Sequence, residues 1–373
     1  MTTNPQKLYA LGQSLWFDNI ERRLLDNGEL KAMIERGDIY GVTSNPSIFN
    51  NAIGKSEDYD AQLAELARAG KTTAEIYDAL TVQDIQAACD LFRPLYDSTR
   101  GGDGYVSIEV HPDLAHDTAA TEHEAQRLWA LVDRPNLMVK IPATAEGIPA
   151  IQASIARGIN INITLIFSLQ RYDAVINAYL AGLEERIANN LPIGHIASVA
   201  SFFVSRIDTK VDGWLETLAE QGGDTARKAN ALMGTIAVAN AKLAYRLFLE
   251  RFSGPRFEAI AQKGGRRQRP LWASTSTKNP AYPDLLYVDT LVGKDTVNTV
   301  PPQTLEAAKN HAAATLSIED GLDEARFQLA NLEMLGLSLD KATDEVEQEG
   351  VAAFSKAIAD LFATIDQRAG EFR

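Results

Sequence analysis

The sequence predicts an α/β protein built as one (β/α)8 barrel, and three observations carry that reading. Eight short apolar runs, nearly all separated by helical patterns, lie along the 373 residues. Such alternation gives a parallel sheet with helical crossovers. No strand-to-helix turn reads Gly-x-Gly-x-x-Gly, which favours a closed barrel over a doubly wound sheet. Polar residues recur at the C-terminal ends of the runs, and barrels of this kind place their active sites at that rim.

Gln13–Asn19 reads as the first strand, with Asp18 at its C-terminal end, and 20–37 as a helix stopped by Gly37-Asp38. Ile39–Pro46 is a second strand and a tight exit turn: Pro46 cannot donate to a ladder and biases Asn45 toward an extended conformation. Over 56–99 apolar residues recur at three- and four-residue intervals (Ile76, Leu80, Ile85, Ala88, Phe92), a helical spacing. Residues 46–104 are therefore expected as a helical insertion. Tyr105–Val110 is the third strand, Thr118–Val132 a helix, and Asn136–Thr144 the fourth strand. A helix over Gly147–Arg157 stops at Gly158, and Ile159–Phe167 alternates as the fifth strand. Then follow a helix over Leu169–Asn189, a sixth strand at Ala197–Val204 and two helical patterns within 207–263. Pro270–Ser274 and Leu285–Val292 read as strands seven and eight. Residues 302–373 form a C-terminal helical extension over the single barrel domain, with a long acidic amphipathic stretch from about Ser338 to Arg368.

Composition narrows the function. A hydrophobic fraction of 45% suffices for a large core. The net charge of −14 and the lack of a basic stripe argue against nucleic acid as a partner. No run approaches the ~18 apolar residues of a membrane span, and the N-terminus lacks a basic segment followed by an apolar one. The single cysteine, Cys89, reads as a packed helical thiol. These features point to a cytoplasmic protein, with monomer and homodimer both open. The basic run Gly264–Arg269 reads as a solvated loop that brings cations near an anionic ligand, because an acidic protein must concentrate positive charge locally to bind an anion. His111, His116 and His123, with the acids around them, fit no compact metal-ligand spacing and read as a solvated helix start.

Function is most legible at Lys140, set between Val139 and Ile141 with Met138 and Pro142 beside it. A water-poor setting disfavours the charged ammonium, and a neutral amine can attack a ketone to form a Schiff base. Taken alone, such a lysine more often packs its stem and sends its head to solvent. Strand parity turns Lys140 inward and Val139 and Ile141 outward. It likewise puts Asn162 and Thr164 on one face, Ser201 and Phe203 on one face, and Ile161, Ile163 and Leu165 outward. Singly, Asp18 fits the N-cap of a helix near Asn19 equally well, Glu109 fits a surface ion pair, and Asn162, Thr164 and Ser201 fit ordinary barrel packing. Two carboxylates and a lysine at three strand ends are harder to dismiss together, since buried charge is costly unless paired. Such a set permits imine formation with a ketose carbonyl, one carboxylate taking the proton from the hydroxyl at the cleaved carbon and another moving protons at the imine. Cations near strands seven and eight would hold a distal phosphate.

These residues resemble a known family. Leu137-Met138-Val139-Lys140-Ile141-Pro142-Ala143-Thr144-Ala145-Glu146-Gly147 is similar to the Schiff-base lysine signature of the transaldolase family, and Gly41-Val42-Thr43-Ser44-Asn45-Pro46-Ser47-Ile48-Phe49 to its other signature. The order of Asp18, Glu109, Asn162-x-Thr164, Ser201-x-Phe203 and Arg206 is similar too, so the resemblance reaches to about residue 300. It implies that Lys140 forms the imine with a dihydroxyacetone unit and that Asp18 is the acid/base for carbon–carbon cleavage. It implies that Glu109 and Thr164 handle water and protons, and that Asn45, Asn162, Ser201 and Phe203 position the substrate. Arg206 and Ser274 would hold the phosphate. In that family's familiar pattern an arginine stands two residues after the serine; here that residue is Ser276, and Lys278 is the nearby cation, as in a longer bacterial branch. The implied reaction moves dihydroxyacetone between sugar phosphates in the non-oxidative pentose phosphate pathway, with no metal or organic cofactor. Two rivals remain at this point: an aldolase that releases free dihydroxyacetone, and an inert sugar-phosphate-binding barrel.

Overall fold

The computed structural model describes residues 2–372. Eight parallel strands close in sequence order: β1 (Gln13–Phe17), β2 (Gly41–Val42), β3 (Tyr105–Glu109), β4 (Leu137–Pro142), β5 (Ile161–Ile166), β6 (Ser198–Phe203), β7 (Arg269–Ala273) and β8 (Thr296–Val300). The ladder from Gln13↔Thr296 to Phe17↔Val300 shuts the barrel. Helix α1 (Asn4–Leu11) precedes it; α2 (Arg22–Asp26) and α3 (Glu29–Glu35) link β1 to β2; α4 (Pro46–Lys55), α5 (Asp60–Arg68) and α6 (Thr73–Ser98) link β2 to β3. Single helices α7 (Thr118–Val132), α8 (Gly147–Arg157) and α9 (Leu169–Ala188) follow β3, β4 and β5. Between β6 and β7 lie α10 (Ser205–Ala219), α11 (Gly223–Leu232), α12 (Ile236–Arg251) and α13 (Pro255–Ala261); α14 (Leu286–Asp289) sits between β7 and β8. After β8 come α15 (Pro302–His311), α16 (Leu322–Met334) and α17 (Leu339–Gly370). Among the described residues no helix is long and apolar enough to cross a membrane.

Local chemistry explains the boundaries. Thr72 and Glu75 form a reciprocal capping box at the start of α6, which satisfies two otherwise unpaired backbone donors. Asn45 caps α4 and Pro46 occupies its first position, where a missing N–H costs nothing. Val139, Ile141, Ile161 and Ile163 are fully buried, as expected of the outward face of strands under a helical layer. Cys89 is buried in α6, and desolvation pushes its thiol well above the ordinary range.

Several expectations need correction. Leu285–Val292 is not the eighth strand: it holds the short α14, and β8 is Thr296–Val300. A continuous apolar run fits a buried helical turn as well as a strand, and Tyr287, Val288, Leu291 and Val292 bury all the same. The helix over 20–37 breaks at Asn27-Gly28, where Gly28 takes φ 80°. The second strand pairs only over Gly41–Val42. Leu165 does not pack outward, because the β5 register shifts between Ile163 and Ile166 and Leu165 takes φ 58°. A bulge of this kind re-aims a side chain, and Leu165 meets α17 over the rim instead. The basic run lies at the opposite end of the barrel from Lys140, since Arg269 opens β7. There Arg266 donates to the carbonyls of Arg100, Gly101 and Gly194, while Arg267 and Arg269 pair with Asp295 and Asp103.

Helix α17 lies across the C-terminal rim. Val346, Gly350, Phe354, Ile358, Leu361 and Ile365 form its buried stripe, the spacing of an amphipathic helix. Ion pairs of Lys210 with Glu345 and Glu349, and of Arg171 with Glu347, tie its first half to α10 and α9. Arg368 binds Asp60 and the Ile53 carbonyl at its far end.

Candidate active site

The rim encloses a cavity of about 210 Å³. Nine of the eleven residues singled out in the sequence line it: Asp18, Asn45, Lys140, Thr164, Ser201, Phe203, Arg206, Ser274 and Lys278. Glu109 stands behind Lys140, among Val110, Leu165, Val351 and Phe354. Asn162 is fully buried below the cavity floor.

Lys140 is 5% exposed. Its Nζ donates to the Ser44 carbonyl at 2.9 Å and faces Glu109 Oε2 at 3.4 Å. The strand register explains the pairing, since Glu109, Lys140 and Asn162 are partners along β3, β4 and β5. Burial lifts the Glu109 carboxyl above its ordinary range, and the Lys140 charge and hydrogen bond pull it partly back. Asp18 opens onto the cavity just past β1. The protein around it raises its carboxyl, opposed by a hydrogen bond from Thr43 and by the charges of Lys140 and Lys278. Carboxyls raised by burial and set beside a lysine are candidates for proton transfer.

A hydroxyl pair supports Asp18. Thr43 Oγ1 donates to Asp18 Oδ1 at 2.6 Å and lies 2.6 Å from Thr299 Oγ1. Thr43 has one hydroxyl hydrogen, so when Asp18 accepts it, Thr299 must donate to Thr43. Asn162 is held from both sides: Ser201 Oγ donates to its Oδ1 at 2.7 Å and its Nδ2 donates to Ser107 Oγ at 3.1 Å. Asn45 spends its Oδ1 on the Ile48 N–H at 3.0 Å, which leaves its Nδ2 for another acceptor. Thr164 Oγ1 is buried and has no hydrogen-bond partner among the described residues. Such orphans are rare and invite a partner from a ligand or water.

Cations gather on the far wall. Arg206, in the first turn of α10, makes no hydrogen bond or ion pair among the described residues; its guanidinium lies over Phe203 at 5.2 Å and Phe354 at 5.8 Å. Burial lowers its pKa. Lys278 donates to Ser276 Oγ at 2.6 Å, and burial, then the nearby Arg206 charge, lower its ammonium against the pull of Asp18. Ser274 has φ 56°, uncommon for a residue with a side chain, and its carbonyl accepts from Ser205 N at 3.1 Å.

Sequence reasoning missed Thr43, Thr299 and Phe354 as members of the site. Thr43 sat in plain view within the Gly41–Phe49 stretch. Thr299 was hidden by the misplaced eighth strand, although Thr296-Val297-Asn298-Thr299-Val300 before Pro301-Pro302 is a short alternating run ended by residues that cannot continue a ladder. Phe354 belongs to α17, whose place over the barrel was expected, but nothing in the local pattern marks which of its residues reaches the lysine.

The family model described as transaldolase/fructose-6-phosphate aldolase matches residues 15–365. The chain is 49% identical over 363 residues to transaldolase 1 of Streptomyces avermitilis, which covers 97% of this chain and 94% of that protein. It is 49% identical over 367 residues to a transaldolase of Acidothermus cellulolyticus, covering 98% and 96% of the two chains. With a transaldolase of Thiobacillus denitrificans it shares 47% over 355 residues, or 95% and 97%. On this evidence the chain belongs to the transaldolase/fructose-6-phosphate aldolase family.

Proposed function

We propose that the protein transfers a dihydroxyacetone unit from a ketose phosphate to an aldose phosphate through a Schiff base on Lys140. It acts in the cytoplasm, in the non-oxidative pentose phosphate pathway, as a monomer or homodimer. The observation that carries the reading is the buried Lys140 amine beside Glu109, in one cavity with Asp18 and the cations Arg206 and Lys278.

The amine adds to the C2 carbonyl of the ketose. Glu109, 3.4 Å from Nζ, moves protons as the carbinolamine forms and loses water, with the partnerless Thr164 hydroxyl holding that water. The iminium draws electrons from the C3–C4 bond while Asp18 takes the C4 hydroxyl proton, so the bond breaks and the aldehyde leaves. The three-carbon enamine stays on Lys140 until a second aldehyde adds. Asp18 then returns its proton to the new alkoxide, and hydrolysis of the imine frees the product. Asn45, Asn162, Ser201 and Phe203 orient the donor. Arg206 and Lys278, with Ser274, hold the phosphate, and charge-assisted contacts of this kind are the strong ones. Helix α17 favours transfer over release of free dihydroxyacetone, because Phe354 lies 5.9 Å from the Lys140 amine and screens it from bulk water.

Borohydride reduction with fructose 6-phosphate, followed by peptide mass mapping, tests the reading. A stable adduct on Lys140 is expected; an adduct elsewhere, or none, rejects it. Adding erythrose 4-phosphate should yield sedoheptulose 7-phosphate, and release of free dihydroxyacetone instead would mark an aldolase.

A further inference from the structure

Lys278 borders two cavities. One is the substrate cavity; the other, about 260 Å³, is walled by Asp208, Asp212 and Glu216 of α10 and by Tyr282 and Tyr287. The lysine sits in the β7–β8 connection, which runs from residue 274 to 295 and is longer than most loops in compact folds. Two tyrosines of that connection are fixed to α10. Tyr287 OH donates to Asp208 Oδ2 at 2.7 Å, and Tyr282 OH donates to Asp212 Oδ2 at 2.7 Å. The other oxygen of each carboxylate accepts a backbone N–H at the entry to α12: Ala237 N to Asp208 Oδ1 at 2.7 Å, and Gly234 N to Asp212 Oδ1 at 3.0 Å. The two acids are four residues apart and so share one face of α10. Arg206 lies in the first turn of the same helix. The Tyr282 ring lies where a side chain on Gly234 would be: a Cβ there would come within 2.7 Å of it, and Gly234 also takes φ 70°.

We infer that Asp208 and Asp212, with Tyr287 and Tyr282, are positioning residues that fix Lys278 opposite Arg206 and keep it out of the acidic cavity. The inference rests on the reading of Lys278 and Arg206 as the phosphate-holding pair. Each tyrosine hydroxyl donates to a carboxylate oxygen for which no other side-chain donor stands among the described residues. Remove the hydroxyl and that oxygen becomes an acceptor within the cavity that Lys278 also borders. The connection then loses its tie to α10, so the lysine it carries is no longer held beside the phosphate while Lys140, Asp18 and Glu109 stay in place.

The test compares fructose 6-phosphate with D-fructose, which has the same reacting carbonyl and no phosphate, in the full-length protein. Tyr282→Phe and Tyr287→Phe, singly and together, should raise KM for fructose 6-phosphate about 10-fold, the scale of one weakened hydrogen bond to a charged group. Their kcat should stay within about two-fold, and kcat/KM for fructose should not move. Lys278→Met serves as the reference. If it loses the preference for the phosphorylated donor while the tyrosine variants keep it, the clamp is overturned and the site reading stands. If Lys278→Met keeps that preference, both are overturned. A tyrosine variant that weakens both donors alike also overturns the clamp, because a general loss of structure has no reason to single out the phosphate.

Discussion

Replacing Lys140 with methionine tests the catalytic reading and the electrostatics of the site together. Catalysis should fall by at least about 10⁴-fold, as when a nucleophile is removed from a site whose groups act as a unit. The folding consequence is more specific. Lys140 Nζ is the one hydrogen-bond donor that Glu109 has among the described residues, and both side chains are 7% exposed. Taking one partner from such a pair costs about 3–5 kcal/mol, because the other charge stays buried without compensation. That penalty depends on pH, and its sign is fixed. Burial already holds the Glu109 carboxyl above its unfolded value, and the Lys140 charge is the main force pulling it down. Without that charge the native variant keeps a proton that the unfolded chain has released. Glu109 therefore costs the variant nothing below the unfolded glutamate value of about 4.3 and progressively more as pH rises, at up to ~1.4 kcal/mol per pH unit, levelling above the folded value. Urea unfolding of wild type, Lys140→Met and Lys140→Met/Glu109→Gln from pH 4.5 to 8.5 reads this out. The stability gap between the first two should widen with pH, and the added glutamine should flatten it. A gap that is constant across the range, or untouched by the glutamine, refutes the account of a carboxylate that depends on Lys140.

Three further outcomes follow from the same geometry. Thr43→Val removes the hydrogen bond that lowers the Asp18 carboxyl; Asp18 must be ionised to take the C4 hydroxyl proton, so the acidic limb of the kcat/KM profile should move to higher pH. Gly350→Ala puts a methyl group 3.0 Å from Leu165 Cδ2 and 3.2 Å from the Arg206 guanidinium, which should lift α17 from the rim at about 1–3 kcal/mol of stability and raise water-dependent release of dihydroxyacetone relative to transfer, measured as a product ratio. That variant is cleaner than deleting residues from Ser338 onward, which would also strip the core of Ile358, Leu361 and Ile365. Asp208 is held up to about 7 from 3.8 by desolvation, so it contributes stability that is complete below about pH 3.8 and lost as pH rises to about 7; Asp208→Asn should lack that loss and gain on wild type by up to ~4 kcal/mol across the window, followed by denaturant titration.

The barrel, and a buried lysine paired with a carboxylate at its rim, were legible because both rest on short-range patterns. Gly147–Arg157 and Thr118–Val132 match the expected helices to the residue, since each begins or ends at a recognisable stop. The inward set Lys140, Asn162 and Thr164 follows from strand parity alone. What escaped depends on contacts between distant segments. A run such as Leu285–Val292 has no intrinsic preference that separates strand from buried helix, and only the true β8 pairing beside β1 decides it. Parity failed at Leu165 because the bulge adds a residue that no local composition signals. The basic run misled because charge was read without position: Arg266–Arg269 precede a strand, and residues before a barrel strand lie at the end away from the active rim.

That contrast between the two ends favours the rim as the place of the proposed ligand. The N-terminal end has the larger cavity, about 640 Å³, and three arginines around it, so size and charge alone would choose it. Yet Arg267 and Arg269 face carboxylates and Arg266 is used on three carbonyls. A cation whose donors are already engaged must break those bonds to take an anion, and the net gain from the exchange is small. At the rim the cavity is a third as large, but Arg206 has no polar partner among the described residues, Lys278 has only a serine hydroxyl, and Thr164 Oγ1 has none. Ring faces beside Arg206 and the Asp18 charge near Lys278 offset the desolvation of these groups without filling their hydrogen-bonding capacity, and an anionic, hydroxyl-bearing ligand would fill it. The two ends therefore differ in unmet bonding capacity rather than in volume, and that capacity lies beside the lysine.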